Sequence, residues 1–296
     1  FKGSPLGHNI LGTAEQVRSF KTEDALRFTR KLYRPDNAIF FAYGDIDFKK
    51  LVRLLQRALA DDESVVNLAE EKLPQISQIT QISWNENSIA EEKSVSSVKS
   101  VGPKNYPSVG DGIAGQTIVM QKNTHQAHVM IGTRAYDVND SRRMPLYLLN
   151  NMLGGPGMNA KLNLALREHN GLVYTVESTM VAYGDTGIWS IYFGCDEHDV
   201  KRCLRLVRKE LDKFMQKPLS EAQLKAAKKQ IKGQVGVACD NRENFALDFG
   251  KSFLHYGWEK NVDRLYEQVD EITAEQIQAV AQELFDKDRL TTLIFR

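Results

Sequence analysis

Cysteine is scarce in this chain, and that scarcity is the first constraint. Only Cys195, Cys203 and Cys239 occur in 296 residues. An odd count without metal-ligand spacing supports no disulfide framework and suits a reducing compartment or a sparsely cysteine-bearing bacterial protein. Long apolar runs are missing too: none reaches about 18 residues, so no membrane span is expected. Charge of one sign is also lacking. The 39 Lys and Arg against 38 Asp and Glu leave a formal net charge of +1, and nothing marks a nucleic-acid or polyanion binder. Basic residues do gather along Lys201–Lys232, but Glu and Asp alternate with them, as on a solvated helix surface. The start at Phe1 carries neither an initiator Met nor a signal-peptide pattern, which fits a processed chain or a piece of a longer one.

What is present reads as an ordinary globular composition, 42% hydrophobic and 26% charged, long enough for one large or two ordinary domains. Phe1–Gly12 is a loop punctuated by glycine and proline, and its lone His8 reads as a surface or packing residue. A helix is predicted from Thr22, with Phe20, Leu26, Phe28 and Leu32 on its apolar side. Ala38–Gly44 reads as a buried strand, and Phe48–Leu59 as a helix with Leu51, Leu54, Leu55 and Leu59 on one face. From about Asp61 to Gly115 polar and breaking residues dominate, as in a linker. Strands are predicted at Thr117–Gln121 and His128–Thr133. A hairpin is expected around Tyr183-Gly-Asp, and a helix along Val200–Phe214. Ser220 and Gln223 form a capping box for a further long helix.

The centre of the chain is Leu149–Tyr174. A helix ends at Leu153, and Gly154, Gly155 and Gly157 make a sharp turn where side chains would obstruct the backbone. Asn159 is placed to cap a second helix with Leu162 and Leu166 inward. Asn170-Gly171 stops that helix just after Arg167, and a strand follows with Tyr174 near its start. Two rigid elements therefore bring Arg167 and Tyr174 to one tight loop. Arginine offers a fixed fork of donors and tyrosine one O–H, so the pair suits carbonyl oxygens or an oxyanion. A helix-end salt bridge and a half-buried strand aromatic are the ordinary alternatives for each residue taken alone.

Two segments carry a resemblance. Leu153-Gly-Gly-Pro-Gly-Met158 with Leu166-Arg-Glu-His-Asn-Gly-Leu-Val-Tyr174 resembles the second-domain pattern L-G-G-x-G-M-x-x-[RK]-L…L-R-E-x-x-G-L-x-Y of the pitrilysin/insulinase-type zinc peptidases, the inverzincins. Phe1–Gly12 resembles the segment F-x-G-H-P-L-G-x-x-I-L-G that follows the last zinc ligand there. The resemblance implies an α+β fold of repeated domains, each a mainly antiparallel sheet covered by helices on one side. It implies that Arg167 and Tyr174 reach across to the first domain's zinc site and hold the substrate backbone, with Tyr174 also steadying the tetrahedral intermediate. Gly154 and Gly155 would join them in substrate binding.

An internal repeat supports this layout: Ser19–Phe41 and Glu271–Leu293 align without a gap, 252 positions apart. A full first copy would begin on the order of a hundred residues ahead of Phe1. The expected organisation is thus 1–62 as the C-terminal remnant of a first, zinc-bearing repeat, 63–115 as linker and 116–296 as a complete second repeat. Zinc is the implied cofactor, but neither H-x-x-E-H nor H-E-x-x-H occurs among His8, His125, His128, His169, His198 and His255. The close pair His125 and His128 would fall on opposite faces of a strand. No metal ligand is therefore assigned in this chain, and the zinc ligands are expected upstream of Phe1.

The function implied is that of the C-terminal part of a zinc endopeptidase cleaving unfolded peptides in a clamshell chamber, this chain being inactive alone. Two alternatives stay open: a non-catalytic relative like the core subunits of respiratory complexes, and a partner subunit of a heterodimeric peptidase. The expected partners are a peptide substrate and the missing N-terminal half of the first repeat, with a homodimer also open. No nucleic acid is expected. A cytoplasmic location is expected, with a periplasmic or organellar one as alternatives.

Overall fold

The computed structural model describes residues 1, 5–42, 44–59, 115–122, 124–257 and 261–296. The segment read as a linker, 63–115, lies outside the described residues except for Gly115. The chain divides into two compact units, 1–100 with 239–260 and 101–238 with 261–296.

The first unit opens with the helices α1 (Ala14–Ser19), α2 (Thr22–Leu32) and α3 (Phe48–Leu59). None of the three buries a residue. Apolar side chains on or beside α1 and α2 are exposed instead, with Phe20 at 70% and Phe28 at 55%, and on α3 Leu54 is exposed while Leu51, Leu55 and Leu59 are half-buried. The strand predicted at Ala38–Gly44 does not form over the described residues 38–42. A strand needs a neighbour for its backbone groups, and the described residues of this unit contain none. A later helix of the unit, Arg242–Tyr256, stacks Phe249 on Phe41 at 4.9 Å between ring centroids.

The second unit is built on a five-stranded sheet. Its strands are β1 (Thr117–Met120), β2 (Ala127–Ala135), β3 (Val173–Ala182), β4 (Gly187–Cys195) and β5 (Thr291–Phe295), in the order β1-β5-β2-β4-β3. Only the β1–β5 pair is parallel. β3 and β4 form the predicted hairpin, closed by Tyr183 N–H donating to the Thr186 carbonyl at 2.7 Å. Every second residue of β4 is buried, from Gly187 to Cys195. That period of two puts Trp189, Ile191 and Phe193 under the helices on one face, while Met130 and Val181 are exposed. The fold is therefore α+β, a mainly antiparallel sheet with helices on one side.

Those helices include α4 (Arg143–Gly154), α5 (Val200–Gln216) and α6 (Glu221–Asp240). The helix Ala274–Leu284 follows, and Phe285 just beyond it stacks on Trp189 at 4.6 Å. The repeat offset holds at this helix. α2 and Ala274–Leu284 are both eleven residues long and start 252 positions apart. Their first turns close alike, Lys21 N–H on Asp24 Oδ2 and Thr273 N–H on Gln276 Oε1. The correspondence fails at the strand: 291–295 pairs into the sheet, and 38–42 does not.

Cys195 on β4 and Cys203 on α5 are 1% and 0% exposed, and the hydrogen bond between the two thiols, with burial adding to it, raises the pKa of Cys203. Cys239 is only half-buried. Because the accessible thiolate is the reactive form, Cys239 is expected to take up a maleimide first in the native chain. Cys195 and Cys203 should react only as the second unit unfolds, which peptide mapping at increasing denaturant will show.

Candidate functional site

α4 delivers the glycine loop. Its buried leucines 146, 148, 149 and 153 fix it on the sheet, and Pro145 sits in the first turn, where no intrahelical donor is lost. The helix ends where Gly154 meets β3. A Cβ there would stand 2.7 Å from Ser178 Cβ and 3.0 Å from the Glu177 carbonyl carbon, so glycine is what lets the helix touch the strand. Ser178 Oγ also donates to Asn150 Oδ1 at 2.6 Å across the same contact. At Gly155 the space for a side chain is filled by Asn151, whose carbonyl oxygen would lie 2.6 Å from a Cβ. Both glycines thus bring the loop tight against its own scaffold.

Asn159 does not cap the next helix as its position suggested. Its side chain is engaged with Gln230 of α6 instead, and the helical residues begin at Lys161. The reason is tertiary: a neighbouring amide offers two hydrogen bonds where a cap offers one. The turn Asn163–Glu168 that follows is π-helical, with His169 N–H donating to the Leu164 carbonyl at 3.0 Å. Such widened turns recur at functional sites. Leu162 and Leu166 anchor it in the core, and Arg167 points to its exposed side. Gly171, at φ +61°, ends the turn in the left-handed region that favours glycine.

A β-bulge then sets Tyr174. Val173 pairs with Cys195 and Val176 with Phe193, so Tyr174 and Thr175 together face the single residue Gly194. A two-against-one count re-aims side chains. Tyr174 and Thr175 are both exposed, against the alternation of the strand. The trace of this is in the sequence, since Val173 and Val176 stand three apart where a regular strand repeats every two.

Arg167 and Tyr174 meet here. The guanidinium carbon lies 5.8 Å from the Tyr174 ring centroid, within cation–π range. Tyr174 is 83% exposed, and its hydroxyl has no hydrogen-bond partner among the described residues. Arg167 is paired only loosely, its Nε 3.8 Å from Glu168 Oε1 with the side chain 47% exposed. Neither ordinary alternative describes this pair: the salt bridge is long and in water, and the aromatic is not half-buried. Two sets of donors stand exposed on one corner, and donors of these kinds can bind carbonyl oxygens or a developing oxyanion.

Among the described residues, Asp196, His198 and Asp199 can bring one donor atom each within 4.8 Å of one another. They follow one another along a single short turn, Asp196 and His198 exposed to water, and His198 Nε2 already faces Asp199 Oδ2 at 3.3 Å. A hydrolytic zinc centre uses three fixed ligands and an open fourth position in a shaped, dry site. This turn does not fit one, and no chemical step is assigned to it. His125 stands before β2, which begins at Ala127, so the expectation that His125 and His128 share a strand is corrected. His128 Nδ1 lies 2.8 Å from Tyr192 Oη on the sheet. Among the described residues no helix is long and apolar enough to cross a membrane.

Comparisons with known proteins show the family of the chain and its fold. The family model described as "Peptidase M16 inactive domain" matches residues 19–231. An uncharacterized zinc protease of Streptomyces coelicolor is 27% identical over 97% of this chain and 56% of its own length. The beta subunit of the mitochondrial-processing peptidase of Saccharomyces cerevisiae is 24% identical over 94% of this chain and 55% of its own. A chain in the structure of complex III2 from Candida albicans shares the fold, with a TM-score of 0.72 at 19% identity, over 100% of this chain and 63% of that one. The chain thus spans little more than half the length of the curated relatives it resembles.

Proposed function

Since this chain belongs to the M16 peptidase family, as its C-terminal portion, we propose that it is the substrate-holding part of a zinc-dependent endopeptidase acting on unfolded peptides. The observation that supports the reading is the exposure of Arg167 and Tyr174 beside one another on a π-helical turn and a β-bulge. In this reading Arg167 clamps a substrate carbonyl through its donor fork. The Tyr174 O–H donates to the same region as negative charge develops on oxygen. The zinc ligands belong to a preceding part of the protein, which the relatives' greater length accommodates.

The exposed apolar side chains on and beside α1–α3 support the same proposal. Large apolar side chains gathered on exposed helices are normally covered, and the proposed cover is the sheet of the first repeat, supplied by that preceding part. The domain boundaries 1–62, 63–115 and 116–296 are proposed on this basis. A cytoplasmic location is proposed with them.

The test uses the complete parent protein and a quenched, unstructured peptide. Hydrolysis is expected, to be lost with a chelator and restored by zinc, while residues 1–296 alone should hold only substoichiometric zinc and cleave nothing. Tightly bound, equimolar zinc in the isolated chain would place a metal site here and sink the division of labour.

A second reading has one observation in its favour, the shared fold with a chain of complex III2. It makes the parent a structural subunit without activity. Absence of zinc-dependent hydrolysis in the parent, with the chain held in a larger assembly, would favour it.

A further inference from the structure

We infer that Gln230 and Gln234, one turn apart on α6, are positioning residues that set the glycine loop and through it the placement of Arg167. The inference rests on the reading of Arg167 and Tyr174 as the substrate-holding pair. The residues of the loop between Gly154 and Asn159 have little core of their own, and Met158 is 68% exposed. An asparagine flanks the loop on each side, Asn151 in the last turn of α4 and Asn159 beyond the glycines, and each is held by α6. Asn151 Nδ2 donates to Gln234 Oε1 at 2.6 Å on the leading side. On the trailing side Asn159 Nδ2 donates to Gln230 Oε1 at 2.9 Å, and Gln230 Nε2 returns a bond to Asn159 Oδ1 at 3.4 Å.

Residues four apart lie on one helix face, so a single face of α6 grips both ends of the loop. The loop backbone lies directly on the trailing pair. A Cβ added at Gly157 would sit 2.5 Å from Asn159 Oδ1 and 3.0 Å from Gln230 Nε2. From there a third amide carries the restraint onward, as Asn163 Nδ2 donates to the Met158 carbonyl at 2.8 Å. Asn163 opens the π-helical turn that bears Arg167. A cleft of about 140 Å³ remains between α6 and the loop stems, lined by Met152, Lys161 and Gln223 together with Asn151, Asn159 and Gln230. Packing therefore does not fill this junction, and the hydrogen bonds define its spacing.

The amides also predict an order among variants, because their bonding roles differ. Among the described residues Gln234 bonds through its oxygen alone, as an acceptor, so Gln234→Glu keeps the contact and Gln234→Leu removes it. Gln230 uses both atoms, so Gln230→Glu keeps one bond of two and Gln230→Leu keeps neither.

The experiment measures peptide hydrolysis by the parent protein alongside hydrogen exchange at residues 155–159. Both Leu variants should raise KM roughly tenfold with kcat within about twofold, since the clamp acts on ground-state placement. Exchange in the loop should quicken while β3 and β4 stay protected, with the thermal midpoint nearly unchanged. Gln234→Glu should match the unmodified protein, and Gln230→Glu should fall between. Equal damage from Glu and Leu at 234, or unchanged KM and loop exchange in both Leu variants, would overturn the inference. Should the unmodified parent bind and cleave no peptide, the functional reading falls, and the loop exchange alone then decides the clamp.

Discussion

Tyr174→Phe in the complete protein is expected to lower kcat about 100- to 1,000-fold while leaving KM within about twofold. The change removes one oxygen and keeps the ring. That oxygen bonds nothing among the described residues and belongs to a side chain 83% exposed, so the fold loses no contact. Its proposed partner is an oxyanion that exists only as the peptide bond is attacked, and interactions confined to that moment appear in kcat. Loss of one such donor costs about 2.7–4 kcal/mol of transition-state stabilisation. Arg167→Ala should behave differently, raising KM as well, because a carbonyl clamp acts before the chemistry. It also removes the cation–π contact, which at an exposed site contributes about 0.5–1 kcal/mol. Steady-state kinetics on a quenched peptide separate the two patterns. An unchanged kcat in Tyr174→Phe would reduce that residue to an exposed strand aromatic.

The second large effect is on stability. Gly154→Ala is expected to destabilise the second unit by about 2–3 kcal/mol, within the range for overpacked contacts. At 2–4 °C per kcal/mol for a unit of this size, the midpoint should drop roughly 4–12 °C. The added methyl group meets Ser178 and Glu177 of β3, and two of the three nearest atoms are backbone. A rigid helix and a paired strand cannot both yield, so α4 moves and the Ser178–Asn150 bond lengthens. Gly233→Ala supplies a control of opposite sign. That glycine lies inside α6 with nothing within 4 Å of a built Cβ, and alanine there should add about 0.5–1 kcal/mol. Calorimetry on the two variants decides. A neutral Gly154→Ala would mean that the helix–strand contact relaxes freely.

Helices were legible from local pattern because their hydrogen bonds close within the segment. Phe48–Leu59 and the Ser220–Gln223 capping box are where periodicity and cap chemistry put them. The β3–β4 hairpin was legible for a related reason, since its partners are adjacent in the chain. The Ala38–Gly44 strand was not, because an apolar run supplies β-propensity but no partner. The equivalent segment 291–295 is a strand only through β1 and β2, both more than 150 positions earlier in the sequence.

The site divides along the same line. The chain by itself determined that a glycine turn, a helix end and a strand start bring Arg167 and Tyr174 near one another, because each signal is short-range. It also determined the family resemblance, which the comparisons bear out. Only the tertiary structure decided how the pair is presented. The bulge that exposes Tyr174 arises from register with β4, and the turn that carries Arg167 is tied through Asn163 to a loop gripped by α6. Asn159 shows the physical reason in one residue. Its local chemistry favours a helix cap, but an amide 71 positions away offers a second hydrogen bond, and that choice exists only once the chain has folded.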